Sequence, residues 1–233
     1  MIRLYSLCDQ RKGACSDLRH IIDLTHTISD GMPVFPGDPM VEFQRTAFIH
    51  QGGYNVTRVS MGTHTGTHVD VPHHVLPDDR GVDCISLDAL VGWAEVLDLG
   101  EMAPGSEITS ADLNKFTDRV TNGSRVLLRT GWSKRWGSPE FFTKFPGISE
   151  GAAAWLTARK VALLGIEQPS VHTTMHREIH KALLAEKIVL IETMANLHEI
   201  TSDRVYLAAL PMKLAGLDGS PMRVVAIEGM EGQ

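Results

Sequence analysis

Four histidines and an aspartate fall within the eleven residues His64-Thr-Gly-Thr-His68-Val-Asp70-Val-Pro-His73-His74. Imidazole and carboxylate donors together suit zinc, manganese or iron(II) better than calcium or magnesium. A chain of 233 residues buries a core without a metal staple, so an ion held here is expected to serve chemistry rather than folding. His64 and His68 have the i, i+4 spacing of a zinc-protease helix. Gly66, Pro72 and the β-branched Thr65, Thr67, Val69 and Val71 oppose a helix, however. In an extended chain His64, Gly66, His68, Asp70 and His74 share one face, and His73, on the other, is expected to point away. A straight strand, at roughly 3.3 Å per residue, would hold His64 and His68 about 13 Å apart. The chain must therefore bend, and Gly66 is the residue that permits it. A histidine-rich surface loop without a ligand is the alternative reading. The carboxylate at matching spacing and the glycine at the bend favour metal binding.

Further along, His176 and His180 stand one helical turn apart in an amphipathic run, and Glu192 closes the apolar stretch Ile188-Val-Leu-Ile. A carboxylate at the end of such a stretch must be paired or metal-bound to avoid a large desolvation cost. The arrangement is not H-E-x-x-H, because Glu178 occupies the wrong place. His172, His176 and His198 are expected beside the site or on the surface rather than on the ion. Gly147-Ile-Ser149-Glu-Gly151 matches a serine nucleophile elbow, but that motif needs a strand running into it. Phe145-Pro146 precedes this one, so Ser149 is expected to cap a helix. A non-catalytic metal- or ligand-binding protein is a further reading, one that would not need His74.

The elements that must position these residues alternate. Strand signals cover Ile21–Leu24, Val41–Ile49, Tyr54–Met61, Ala94–Leu99, Val126–Leu128, Val161–Ile166, Ile188–Ile191, Val205–Leu210 and Arg223–Ile227. Helices are expected from a Ser110 cap through Phe116, from Ser149 through Leu156, and over Met175–Lys187. Met32–Pro39, with three prolines and a glycine, reads as an ordered loop. Strands outnumber helices and no repeat or linker divides the chain, so the expectation is one mixed-sheet α/β domain over 21–233 after an extension at 1–20.

Composition narrows the partners. Twenty-two basic residues against 28 acidic ones give a net charge of −6 with no basic run, which argues against nucleic acid. No apolar run is long enough to span a bilayer, and the N-terminal one is too short for a signal-peptide core. Cys8, Cys15 and Cys84 form no C-x-x-C pair. A cytoplasmic protein acting on a small molecule, without membrane or nucleic-acid partner, is expected.

The string H-T-G-T-H-V-D-V-P-H-H resembles the H-x-G-T-H-x-D-x-P-x-H signature of the cyclase-like metal hydrolases, which include bacterial kynurenine formamidases and isatin hydrolases. The likeness extends to Pro36-Gly-Asp38, Asn55-Val56, Val126-Leu-Leu-Arg-Thr130, Gly165-Ile-Glu-Gln-Pro-Ser170, Ala209-Leu-Pro-Met212 and Asp218-Gly-Ser-Pro221. The resemblance implies a swivelling β/β/α fold, a homodimer or homotetramer, and metal ligands at His64, His68, Asp70, His180 and Glu192. It implies His74 as general acid/base and one or two divalent ions, zinc first and manganese second. It further implies hydrolysis of a non-peptide amide, with N-formylkynurenine as the first expected substrate and an isatin-type cyclic amide or a lactone as alternatives. Two departures stand out: Phe35 replaces a pocket tryptophan of the formamidases, and Glu167 replaces an aspartate.

Overall fold

Apolar runs punctuated by glycine, proline and charge fold as the strands of one mixed sheet. The computed structural model describes residues 19–77 and 80–230. Its strands are β1 (His20–Asp23), β2 (Glu42–Ala47), β3 (Val56–Ser60), β4 (His68–Asp70), β5 (Val91–Asp98), β6 (Glu107–Ile108), β7 (Arg125–Arg129), β8 (Gly147–Ile148), β9 (Leu163–Ile166), β10 (Val189–Glu192), β11 (Arg204–Pro211) and β12 (Gly219–Glu228). Helices are α1 (Ile49–Gly52), α2 (Leu87–Leu90), α3 (Ser110–Asn114), α4 (Glu150–Ala158) and α5 (His176–Ala185). Residues 1–18 of the expected extension, with Cys8 and Cys15, lie outside the described residues, while His20 already belongs to β1.

Eight strands run in the order β1-β12-β11-β5-β7-β9-β10-β4, and β4 also pairs with β12, so the sheet closes on itself. The β5–β7, β7–β9 and β9–β10 pairs are parallel, and the remaining pairs of this sheet are antiparallel. Closure separates two cores. Ile22, Val69, Leu127, Leu163, Ile191 and Leu207 fill the inside of the sheet. Val126, Leu128, Leu164 and Leu190 face outward against α4 and α5, which contribute Leu156, Ile179, Leu183 and Leu184. The chain is thus a single mixed α/β domain, as its sequence leads one to expect.

Two local expectations are corrected. Thr109, not Ser110, precedes α3, because the Asp112 carboxylate accepts from both the Thr109 N–H and its hydroxyl. The strand expected over Val41–Ile49 stops at Ala47, where Phe48 leads into the turn of α1. β2 and β3 form a separate two-stranded ribbon whose side chains are almost all exposed. Among the described residues no helix is long and apolar enough to cross a membrane.

Candidate metal centre

Strand pairing explains how residues far apart in sequence meet. β4 lies between β10 and β12, with His68 opposite Glu192 on one side and Asp70 opposite Gly219 on the other. Val69 and Ile191 enter the inner core, so the alternation of side chains turns His68, Asp70 and Glu192 to the outer face. There α5, anchored by Ile179 and Leu183, supplies His180. His64 reaches the same place through a turn in which Gly66 has φ +62°, a left-handed bend suited to glycine. Pro72–His74 is a 3-10 turn, so His74 arrives by a second bend and not by strand alternation. The face-sharing expected of the whole motif thus holds only for His68 and Asp70.

Each of three imidazoles has one nitrogen held by an outer acceptor and the other aimed at the carboxylates. His68 Nδ1 donates to Gly66 O at 2.8 Å, which leaves Nε2 facing Asp70 Oδ1 at 3.2 Å and Glu192 Oε2 at 3.6 Å. His180 Nδ1 donates to His176 O at 2.6 Å, with Nε2 3.2 Å from both Asp70 Oδ2 and Glu192 Oε1. His64 Nε2 contacts Asp218 Oδ2 at 2.8 Å, and its Nδ1 lies 2.7 Å from Asp70 Oδ1. Asp70 Oδ2 is buried without a hydrogen-bond donor. Buried lone pairs that converge on one another require a cation or protons between them. Outer partners of this kind, which for His68 and His180 are backbone carbonyls that fix the tautomer, are the usual support of a metal ligand. Ligand atoms of His68, Asp70 and Glu192 lie within 4.8 Å of one another, as do those of His64, Asp70 and His74. The donor set fits a divalent metal.

The family model described as "Putative cyclase" matches residues 22–173. This chain belongs to that cyclase family. A kynurenine formamidase of Erythrobacter litoralis is 31% identical over 216 residues, covering 90% of this chain and 94% of that protein. The solved structure of a predicted metal-dependent hydrolase from Bacillus stearothermophilus is 27% identical with a TM-score of 0.78, covering 90% and 98% of the two chains. Isatin hydrolase A from Labrenzia aggregata, solved with benzyl benzoate, is 26% identical with a TM-score of 0.80, covering 91% and 94%.

The electrostatics of this cyclase-family site follow from its burial. Burial favours the neutral Asp70 carboxyl, but His64, His180 and His68 outweigh that effect and hold it well below the usual carboxylate range. Burial first, and the Asp70 charge second, push Glu192 up. Burial opposes protonation of His64 and His180, yet the facing carboxylates win and raise both to about 10. In the absence of a cation, protons on these two rings would balance the carboxylates. Burial lowers His74, whose Nδ1 is 3.8 Å from Asp218 Oδ2.

The centre opens into a cleft of about 700 Å³ that Phe35, Asp38, Val75, Leu76, Ser170 and Arg177 help to line. Phe35 sits there edge-on to Phe142, ring centroids 6.3 Å apart, in a turn closed by the Asp38 N–H on Phe35 O. His73, expected to point away, is exposed but lines the same cleft, because the 3-10 turn replaces strand alternation. His172 bonds Glu107 and the backbone of Thr174 and Met175, His198 is exposed, and His176 acts through its carbonyl.

Sequence reasoning passed over Asp218 as a site residue. Its carboxylate also accepts from Thr63 Oγ1 at 3.2 Å, and only the resemblance around Asp218–Pro221 marked it. Glu167 is buried and accepts from Thr130, Trp132 and Ser133, which holds the loop after β7 rather than the metal centre. Gly147–Ile148 is a short strand, so the elbow motif does run from strand to helix, against the expectation. Ser149 nevertheless caps α4: its hydroxyl accepts the Ala152 N–H at 3.2 Å, and among the described residues no histidine bonds it.

Proposed function

We propose that this protein is a divalent-metal hydrolase of a non-peptide amide bond, with an N-formyl aryl amine of the N-formylkynurenine type as its first substrate. The single observation that carries this reading is the convergence of three imidazoles, two of them fixed in tautomer by backbone carbonyls, on Asp70 and Glu192 beneath an open cleft. The ligands are His64, His68, Asp70, His180 and Glu192. Three nitrogens and two carboxylates suit zinc first and manganese second, and Asp70, shared by both ligand groups, allows one ion or two. When bound, a divalent ion polarises the scissile carbonyl and lowers the pKa of water from 15.7 toward about 7.

His74 is the proton carrier. Burial depresses its pKa, so the ring is neutral at pH 7 and can accept a proton from the attacking water. It then returns that proton to the leaving nitrogen, and the Asp218 carboxylate, 3.8 Å from Nδ1, favours the protonated ring between the two transfers. Phe35 presents an apolar ring to the aryl group, but without the indole N–H that a tryptophan would offer a polar tail. That difference favours compact bicyclic amides such as isatin as the second substrate class. A cytoplasmic location belongs to this proposal, and among the described residues Cys84 forms no disulfide.

The test is turnover of N-formylkynurenine and of isatin by zinc-loaded wild type, Asp70→Asn and Phe35→Trp. Wild-type turnover that Asp70→Asn abolishes supports the reading. Turnover of neither amide favours a non-catalytic binding protein, and a strong wild-type preference for isatin reverses the order of substrates. An unchanged substrate ratio in Phe35→Trp removes Phe35 from specificity.

A further inference from the structure

Among the described residues, Arg177 is the one Lys or Arg side chain that lines the metal cleft. It is exposed and has no hydrogen bond or ion pair among the described residues, unlike Arg119, Arg129 and Arg223, which are tied to Glu95, Asp98 and Asp23. It also stands three residues before His180 on α5, so the two side chains leave neighbouring turns of one helix face. A guanidinium with no partner among the described residues presents a planar fork of donors to whatever enters the cleft, and that fork matches a carboxylate in bidentate fashion. The same cleft offers Phe35, Val75 and Leu76 as apolar surface from two other segments.

From this arrangement we infer that Arg177 binds a free carboxylate of the substrate and makes the protein selective for anionic amides over neutral ones. The inference rests on the amide-hydrolase reading above and names the substrate class within it: an aryl amide whose ring or side chain ends in a carboxylate. Asp70 and Glu192 face the cation site, and Asp38, the other carboxylate that lines the cleft among the described residues, forms no ion pair with Arg177. The role is one of positioning and specificity. Arg177 acts on the part of the substrate that does not react.

The experiment compares N-formylkynurenine, which carries a carboxylate, with neutral formanilide, in zinc-loaded wild type, Arg177→Gln and Arg177→Lys. The ratio of the two kcat/KM values is expected to fall about 10- to 100-fold in Arg177→Gln, the scale of a lost charge-assisted hydrogen bond. The loss should appear in KM, zinc content should be unchanged, and Arg177→Lys should recover part of the ratio. An unchanged ratio, with both substrates or neither impaired, overturns the inference. Wild type that turns over neither amide refutes the hydrolase reading instead, and a binding measurement then decides Arg177 alone. Benzoate titrated into the zinc-loaded proteins should bind about tenfold or more weakly to Arg177→Gln than to wild type. Equal affinity overturns the inference.

Discussion

Three histidines of this protein each commit one ring nitrogen to an outer acceptor, so the consequences of substitution differ between ligand and proton carrier. Asp70→Asn and Glu192→Gln remove charge that balances the ion, and both variants should emerge metal-poor and inactive by elemental analysis and assay. His74→Ala should retain metal and lose about 10²- to 10⁴-fold in turnover, the scale of a removed general acid/base. A metal-free His74→Ala protein would make His74 a ligand, a role its place within 4.8 Å of His64 and Asp70 also allows. These residues were legible because all six donors are His, Asp or Glu, because the two carboxylates are of types rarely buried without a partner, and because four of the six fall in one short segment. Asp218 was not, since its partner His64 is 154 residues away and only closure of the sheet joins them. Away from the centre, His26 stacks on Trp136 at 4.1 Å with its Nε2 buried and unbonded, and burial lowers its pKa to about 4. Between about 6.5 and about 4 the unfolded chain therefore binds a proton that the folded chain refuses. Stability contributed by the neutral ring is full above that window and lost as pH falls through it. His26→Phe, which keeps the stack, should flatten the decline of Tm between pH 7 and 4; an identical decline in both proteins would show that other groups set it.

Among the elements, the shortest strand of the closed sheet matters most. β4 has only three residues, yet it joins β10 to β12 and carries two of the proposed ligands. Its partner Gly219 is a close-approach position: a Cβ there would stand 2.7 Å from Val69 O and 3.0 Å from His64 Cε1. Gly219→Ala should cost about 1–3 kcal/mol through overpacking and weaken metal uptake by displacing His64, measured by thermal melts with and without zinc. A variant with wild-type Tm and zinc affinity would mean that β12 can shift at no cost. The longer strands β5, β7, β9, β10, β11 and β12 were visible as β-branched or leucine-rich runs, and α4 and α5 by cap and periodicity. β4 was legible only through the extended parity of His68 and Asp70, and β6 and β8 were not, because two residues give no period to read. The turn at Pro72–His74 escaped notice for the same reason, and with it the true direction of His73.

At the scale of the whole molecule, the β2–β3 ribbon stands apart from the closed sheet and shows apolar side chains to solvent, Val56 47% and Val59 49% exposed, as does the connection between its strands, with Ile49 61% and Tyr54 63% exposed. A two-stranded ribbon is marginal alone in water, and a patch of this kind marks an interaction surface. We propose this surface as the contact of the homodimer or homotetramer that the family resemblance implies. Phe43 and Val59 are cross-strand partners, both exposed. The double substitution of both to Asp should convert a dimer to a monomer in sedimentation velocity, whereas a monomeric wild type would remove the dimer from the account. The fold and family do not depend on that outcome; the chemistry depends on the ion. The most direct test is therefore to strip the purified protein with a chelator, assay N-formylkynurenine and isatin hydrolysis, and restore zinc or manganese stepwise while metal per chain is measured. Activity should vanish with the metal and return in proportion to it, and a serine-directed acylating reagent should have no effect. Full turnover by the metal-free protein, or inactivation by the reagent alone, would contradict a metal centre built on His64, His68, Asp70, His180 and Glu192.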